Sequence, residues 1–158
     1  MREETKVKLK SILDDYKQKQ LDFLRQHELT KTERKEFLDG FSKNIKETIK
    51  PCFEELGKLL ISKGHGFEIT EKNESQDLLG NTQSAHIKLE ILPNGVRAHT
   101  GKRPTISFIA NSIRKEIWTE VSTIMSGCAG QRSTYSLDAI TEEVVEEEVL
   151  SVLASCFG

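Results

Sequence analysis

Residues 32–64 read TERKEFLDGFSKNIKETIKPCFEELGKLLISKG. Apolar side chains recur in this stretch at spacings of three and four, which is typical of a helix with one buried face. Pro51 interrupts the stretch, but the apolar spacing continues in phase across it, so we expect a kink or two abutting helices there. The stretch therefore predicts a long helix on which the rest of the chain packs, through Phe37, Phe41, Ile45, Ile49, Phe53, Leu56 and Leu60.

A second helix is predicted before this one, over residues 4–27, with a looser apolar stripe. The pattern breaks at His27-Glu28-Leu29-Thr30, and Thr30 followed by Glu33 matches a capping box. Because the link between the two helices is short, they would be antiparallel neighbours. The sequence thus predicts an N-terminal antiparallel helical hairpin over residues 1–64.

After Gly64 the apolar period changes from 3.6 to 2, which predicts strands. Residues 113–125 fit both periods, and their β-branched side chains favour a strand from Glu116 to Met125. A loop is expected over residues 71–83, and Asp138 is the expected N-cap of a last helix over 139–156. The other expected strands are Phe67–Thr70, 87–91, Val96–Ala98, Ile106–Ala110 and a short extended piece, Arg132–Leu137.

Tight turns between these strands predict an antiparallel sheet of about four to five strands, with the C-terminal helix packed on it. The fold class is then α+β, and residues 1–158 form one domain. Its parts are the hairpin (1–64), the sheet (65–137) and the C-terminal helix (138–158).

Composition narrows the class of function. The formal net charge is −2, which gives no overall attraction to nucleic acid or to an anionic membrane. No apolar run is long enough to span a bilayer. Cys52, Cys128 and Cys156 lack the spacing of metal ligands, so we interpret them as free thiols in a reducing cytoplasm, with no cofactor and no metal site.

One basic cluster suggests a ligand. The loop after the clearest strand places several donors near a turn, where they could hold a phosphate or carboxylate. The alternative is a solvated loop whose charges protect an edge strand. Trp118 is predicted to point away from Ile117 and Val121, toward the polar face of the sheet. The candidate anion-binding residues are Arg97, His99, Lys102, Arg103, Trp118 and Arg132.

An enzymatic site is a weaker alternative. Cys128 lies between glycines and would need a nearby histidine to act as a nucleophile. His86 and His99 could face each other across strands, but no third metal ligand is evident. The simpler interpretation of Cys128 is a turn residue, and no catalytic residue is predicted.

Three hypotheses follow. The first is a non-catalytic intracellular protein-interaction module that self-associates as a homodimer, because the hairpin offers more apolar surface than one small sheet needs. The second is a binding domain for a small anionic ligand on the open sheet face. The third is an enzyme that uses Cys128 or the histidines His86 and His99.

Overall fold

The computed structural model describes residues 2–94, 103–122 and 130–157, except for the side chains of Gln131, Arg132 and Cys156. By their contacts the residues divide into two units, Met1–Glu36 and Phe37–Gly158. Within the described ranges, no helix combines the length and the hydropathy that a membrane crossing requires. The elements are α1 (Glu3–Asn44), a π segment (Ile45–Ile49), α2 (Lys50–Ser62), β1 (Gly66–Lys72), β2 (Ser75–Gln76), β3 (Thr82–Gln83), β4 (His86–Leu92), β5 (Thr105–Asn111), β6 (Glu116–Ser122), β7 (Gly130–Tyr135), a 3₁₀ turn (Leu137–Ala139) and α3 (Glu142–Phe157).

The predicted helical hairpin is wrong, because residues 27–31 are helical and α1 continues through them. The Thr30 hydroxyl donates to the carbonyl of Gln26, 2.9 Å away, instead of accepting from a free amide as a cap does. Thr32 makes the same bond to the carbonyl of Glu28. Bonds of this kind to the carbonyl four residues back belong to a helix interior. Helix therefore extends from Glu3 to Ser62 through three abutting segments.

The π segment explains how Pro51 is accommodated. The N–H of Lys50 donates to the carbonyl of Ile45, five residues back, and Pro51 then falls at the start of α2. At that position a helix does not need the N–H that proline lacks. The interruption predicted at Pro51 is thus a junction between abutting helices.

The π segment also keeps the buried face of the helix aligned. Buried residues recur every four positions from Phe37 to Gly57. In a regular α-helix each such step drifts by about 40°, so five steps would turn the stripe by about 200°. The extra residue of a π turn removes about 100° of that drift. The same face can therefore remain on the core throughout.

A five-stranded antiparallel sheet has the order β1-β4-β5-β6-β7, as the sequence predicted in outline. The expected strand Val96–Ala98 lies outside the described residues. The polar stretch 71–83, predicted as a loop, contains the end of β1 and a small two-stranded hairpin, β2–β3. One face of the sheet is apolar and fully buried; its side chains include Ile87, Leu89, Ile91, Ile106, Phe108, Ala110, Ile117 and Val121.

Helix α3 packs in the same core through one face. Val145, Val149 and Val152 are buried, whereas Leu150 is 63% exposed. Thr141 directly precedes the helix and its hydroxyl accepts from the N–H of Val144, whereas the expected cap Asp138 lies in the 3₁₀ turn before it. The predicted helix is confirmed, with its start moved by a few residues.

Candidate interaction surfaces

Over its described residues, 2–36, the first unit is helical from Glu3 onward and has no buried side chain. Every residue from Arg2 to Glu33 is exposed. Six of its apolar residues fall within an arc of about 120° when placed at 100° per residue, and each is between 43% and 69% exposed. We call this set the N-terminal stripe: Leu9, Ile12, Leu13, Tyr16, Phe23 and Leu24.

Lysines flank the N-terminal stripe on both sides. On the same projection Lys10 and Lys17 lie along one edge, and Lys8 and Lys19 along the other. Asp14 falls on the far side of the helix. An apolar face bordered by lysines suits a partner surface that is apolar in the middle and acidic at its rim.

The second unit contains a groove between α2 and α3, of about 220 Å³. Its floor is aliphatic, and Leu59 and Leu150 at its sides are 61% and 63% exposed. Glu55 from α2 and Glu146 from α3 line it as well. We call this surface the α2–α3 groove; its lining residues are Cys52, Glu55, Leu56, Leu59, Glu146, Val149, Leu150 and Leu153.

The pKa of the Cys52 thiol depends on the charges around the α2–α3 groove. Its pKa is raised to about 11; burial is the largest cause, and the nearby carboxylates of Glu146, Glu142 and Glu55 act in the same direction. Both effects disfavour a thiolate. The groove is therefore an electronegative site, and its cysteine is a poor nucleophile at neutral pH.

The other face of the sheet carries the aromatic residue that the sequence singled out. Trp118 lies between Ile109 of β5 and Thr134 of β7 in the register. It is half-buried, whereas Ile117 and Val121 are buried on the opposite face, as predicted. On the β4 side of β5, His86 pairs with Ile109. Polar and apolar side chains therefore lie side by side across this face of the sheet, from His86 through Ile109 and Trp118 to Thr134.

The predicted anion-binding residues are only partly described. Arg97, His99 and Lys102 lie outside the described residues, and so does the side chain of Arg132. Arg103 is exposed and its guanidinium lies 3.4 Å from Oε1 of Glu90. Trp118 is level with Ile109, at the far end of β5 from Arg103, and the four steps from Thr105 to Ile109 span about 13 Å. The structure does not bring Arg103 and Trp118 together, and the anion site as a whole remains a prediction.

The residues of the enzymatic hypothesis are likewise divided. Cys128 and His99 lie outside the described residues. His86 places Nδ1 3.1 Å from the carbonyl oxygen of Ser84. Over the described ranges no three histidine, cysteine or acidic side chains are grouped closely enough to hold a metal ion.

Sequence reasoning did not find the α2–α3 groove. The helical spacing of the apolar residues would place Leu59 and Leu150 beside the buried faces of α2 and α3, although both are exposed. One signal was available: Leu150 lies one position outside the Val145, Val149, Val152 spacing. An extra apolar residue beside a complete helical stripe indicates a second surface.

No protein-family model, curated protein or solved structure matched the chain.

Proposed function

We propose that this chain is a non-catalytic intracellular protein-interaction module that forms a homodimer through its N-terminal stripe. The observation that carries the proposal is the exposure of six apolar side chains on one face of α1, with Leu13 at 65% and Phe23 at 69%. Large contiguous apolar faces on a protein surface mark sites of association. The proposed dimer surface is therefore one face of the single helix α1, where the sequence suggested a helical hairpin.

The energetics suit a reversible dimer. Burying an aliphatic or aromatic side chain contributes ~1.5–3 kcal/mol, and association of two chains costs ~4–15 kcal/mol in lost freedom. A stripe of six half-exposed side chains on each of two copies can offset that cost. Two-fold dimers are the commonest assembly of identical chains.

The direct test is the mass of the full-length chain in solution, measured by light scattering over a range of concentrations. The variant Leu13→Gln/Phe23→Gln makes the N-terminal stripe polar and keeps residues that suit a helix. We expect the parent chain to be dimeric and this variant to be monomeric.

The chain offers a matched control. Val7 and Leu29 are exposed apolar residues of the same helix that project outside the N-terminal stripe, at 68% and 62% exposure. Val7→Gln/Leu29→Gln should leave the dimer intact. A parent chain that stays monomeric at all concentrations, or equal losses in both variants, would overturn the proposal.

A further inference from the structure

The α2–α3 groove has the complementary chemistry to the N-terminal stripe. The groove is apolar along its floor, and Glu55 and Glu146 line it from two different helices. The N-terminal stripe is apolar along its centre, and Lys17 and Lys19 lie on its two edges. A helix seated in the groove could therefore bring one lysine edge to each acidic rim.

We propose that the α2–α3 groove is the docking site for the N-terminal stripe of a second copy of this chain. This inference rests on the proposed function and adds to it the surface that receives the helix. Leu59 and Leu150, both largely exposed in one copy, would be covered by the incoming helix.

The electronegative character of the groove supports a basic occupant. Three carboxylates raise the pKa of the Cys52 thiol beyond the effect of burial alone. Lysines placed beside these carboxylates would offset their negative charge. Such steering by opposite charges weakens as salt rises, so association through the groove should also weaken with salt.

The test is a charge exchange in the full-length chain. Glu55→Lys/Glu146→Lys should raise the Kd for self-association by about tenfold or more, because attraction at both rims becomes repulsion. Lys17→Glu/Lys19→Glu should do the same. Combining all four substitutions restores opposite charges and leaves the net charge at the parent value, so self-association should return.

The control is a quadruple variant with the same residue types and net charge. Glu54 and Glu147 are exposed residues of α2 and α3 that do not line the groove. Glu54→Lys/Glu147→Lys combined with Lys17→Glu/Lys19→Glu should stay dissociated. Circular dichroism of every variant establishes that each one is folded.

The outcomes separate this inference from the proposed function. If Glu55→Lys/Glu146→Lys associates like the parent while Leu13→Gln/Phe23→Gln does not, the groove is not the docking site and the proposed function stands. If the parent is monomeric, both fail. If the lysine edges bind phosphatidylserine vesicles and the chain does not self-associate, a lipid surface is the partner and both proposals are overturned.

Discussion

The hydroxyl of Tyr135 donates a hydrogen bond to Oε1 of Glu148, 2.5 Å away, and so joins the edge strand β7 to the helix α3. Glu148 is 5% exposed, on the face of α3 that carries Val145, Val149 and Val152. A buried carboxylate needs donors to offset its lost hydration. This bond therefore contributes to holding an acidic residue in an aliphatic core.

Tyr135→Phe should destabilise the fold. The substitution removes a donor from a buried acceptor and keeps the ring, so we expect a loss of about 1.5–3 kcal/mol in the free energy of unfolding. Urea denaturation measures it. Tyr16→Phe is the control, since the Tyr16 hydroxyl accepts from the exposed side chain of Gln20; equal stability of the two variants would contradict the prediction.

Gly57→Ala should destabilise the fold although alanine is the better helix former. A Cβ at Gly57 would lie 2.3–2.5 Å from the ring of Phe67, which is too close for any contact. We expect a net loss of ~1–3 kcal/mol by overpacking, partly recovered when Phe67→Leu is added. A double-mutant cycle measures this coupling, and purely additive effects would argue against the contact.

Gly40→Ala is the matched case with the opposite expectation. Its Cβ would meet the side chain of Leu137, and the one close approach is to Cδ1 at 2.8 Å, the flexible end of that side chain. The helix gains up to ~1 kcal/mol when glycine is replaced by alanine. Thermal unfolding should therefore show unchanged or raised stability for Gly40→Ala.

Cys52 should react slowly with alkylating agents in the folded chain. Its pKa is raised from 9.0 to about 11, which lowers the thiolate fraction at pH 8 by roughly 100-fold relative to the unfolded chain. Mass spectrometry of the Cys52 peptide measures the rate. Glu146→Gln should speed the reaction and Glu147→Gln should not; a rate equal to that of the unfolded chain would refute the pKa shift.

The same shift gives a direction for stability at high pH. The unfolded chain loses the Cys52 proton first, near its ordinary pKa of 9.0, while the folded chain holds it until about 11. The unfolded state therefore binds fewer protons in this range, and the free energy of unfolding falls as pH rises from about 9 toward 11. Cys52→Ser should lessen this fall.

Asp77 should control the order of the β2–β3 hairpin. Its Oδ1 accepts from the N–H of Asn81 at 2.8 Å and from the N–H of Leu79 at 2.9 Å, and these bonds lower its pKa below 3.8. The stabilisation that the ionised Asp77 gives the hairpin is present above pH 3.8 and is lost as pH falls through its lowered pKa. NMR shifts of the Leu79 and Asn81 amides should titrate there, and Asp77→Ala should remove the titration.

Period-2 alternation predicted most of the sheet well. Ile87, Leu89 and Ile91 alternate with polar residues, and the structure buries them as expected. The strand predicted from Glu116 to Met125 is confirmed over its described residues, Glu116–Ser122, and so is the direction of Trp118; residues 123–125 lie outside the described residues. In these segments one face is buried and the other is wet, so the pattern specifies the register directly.

The hairpin prediction failed because a capping signature is not a stop signal. Residues 27–31 contain no glycine or proline, and threonine and glutamate are tolerated inside a helix. The apolar pattern weakens there because this part of α1 has no core to face. Loss of periodicity thus marked a loss of burial and not an end of the helix.

The bond between Tyr135 and Glu148 lay beyond sequence reasoning for a different reason. Glu148 is one of five glutamates in the first half of α3, and only its spacing of three from Val145 and four from Val152 distinguishes it. Its partner, Tyr135, lies 13 residues earlier in the chain, in strand β7. Pairings of this kind depend on the packing of helix on sheet, which no local pattern encodes.

The glycine at position 57 has a consequence for the order of folding. Within thirteen residues the chain places a π turn, Pro51 and Gly57, each of which disfavours a helix in isolation. Segment 45–57 is thus poorly suited to nucleate structure by itself, and we expect it to become helical only as the sheet assembles beneath it. Its amides should exchange with solvent through global unfolding, whereas those of residues 3–36 exchange through local fraying.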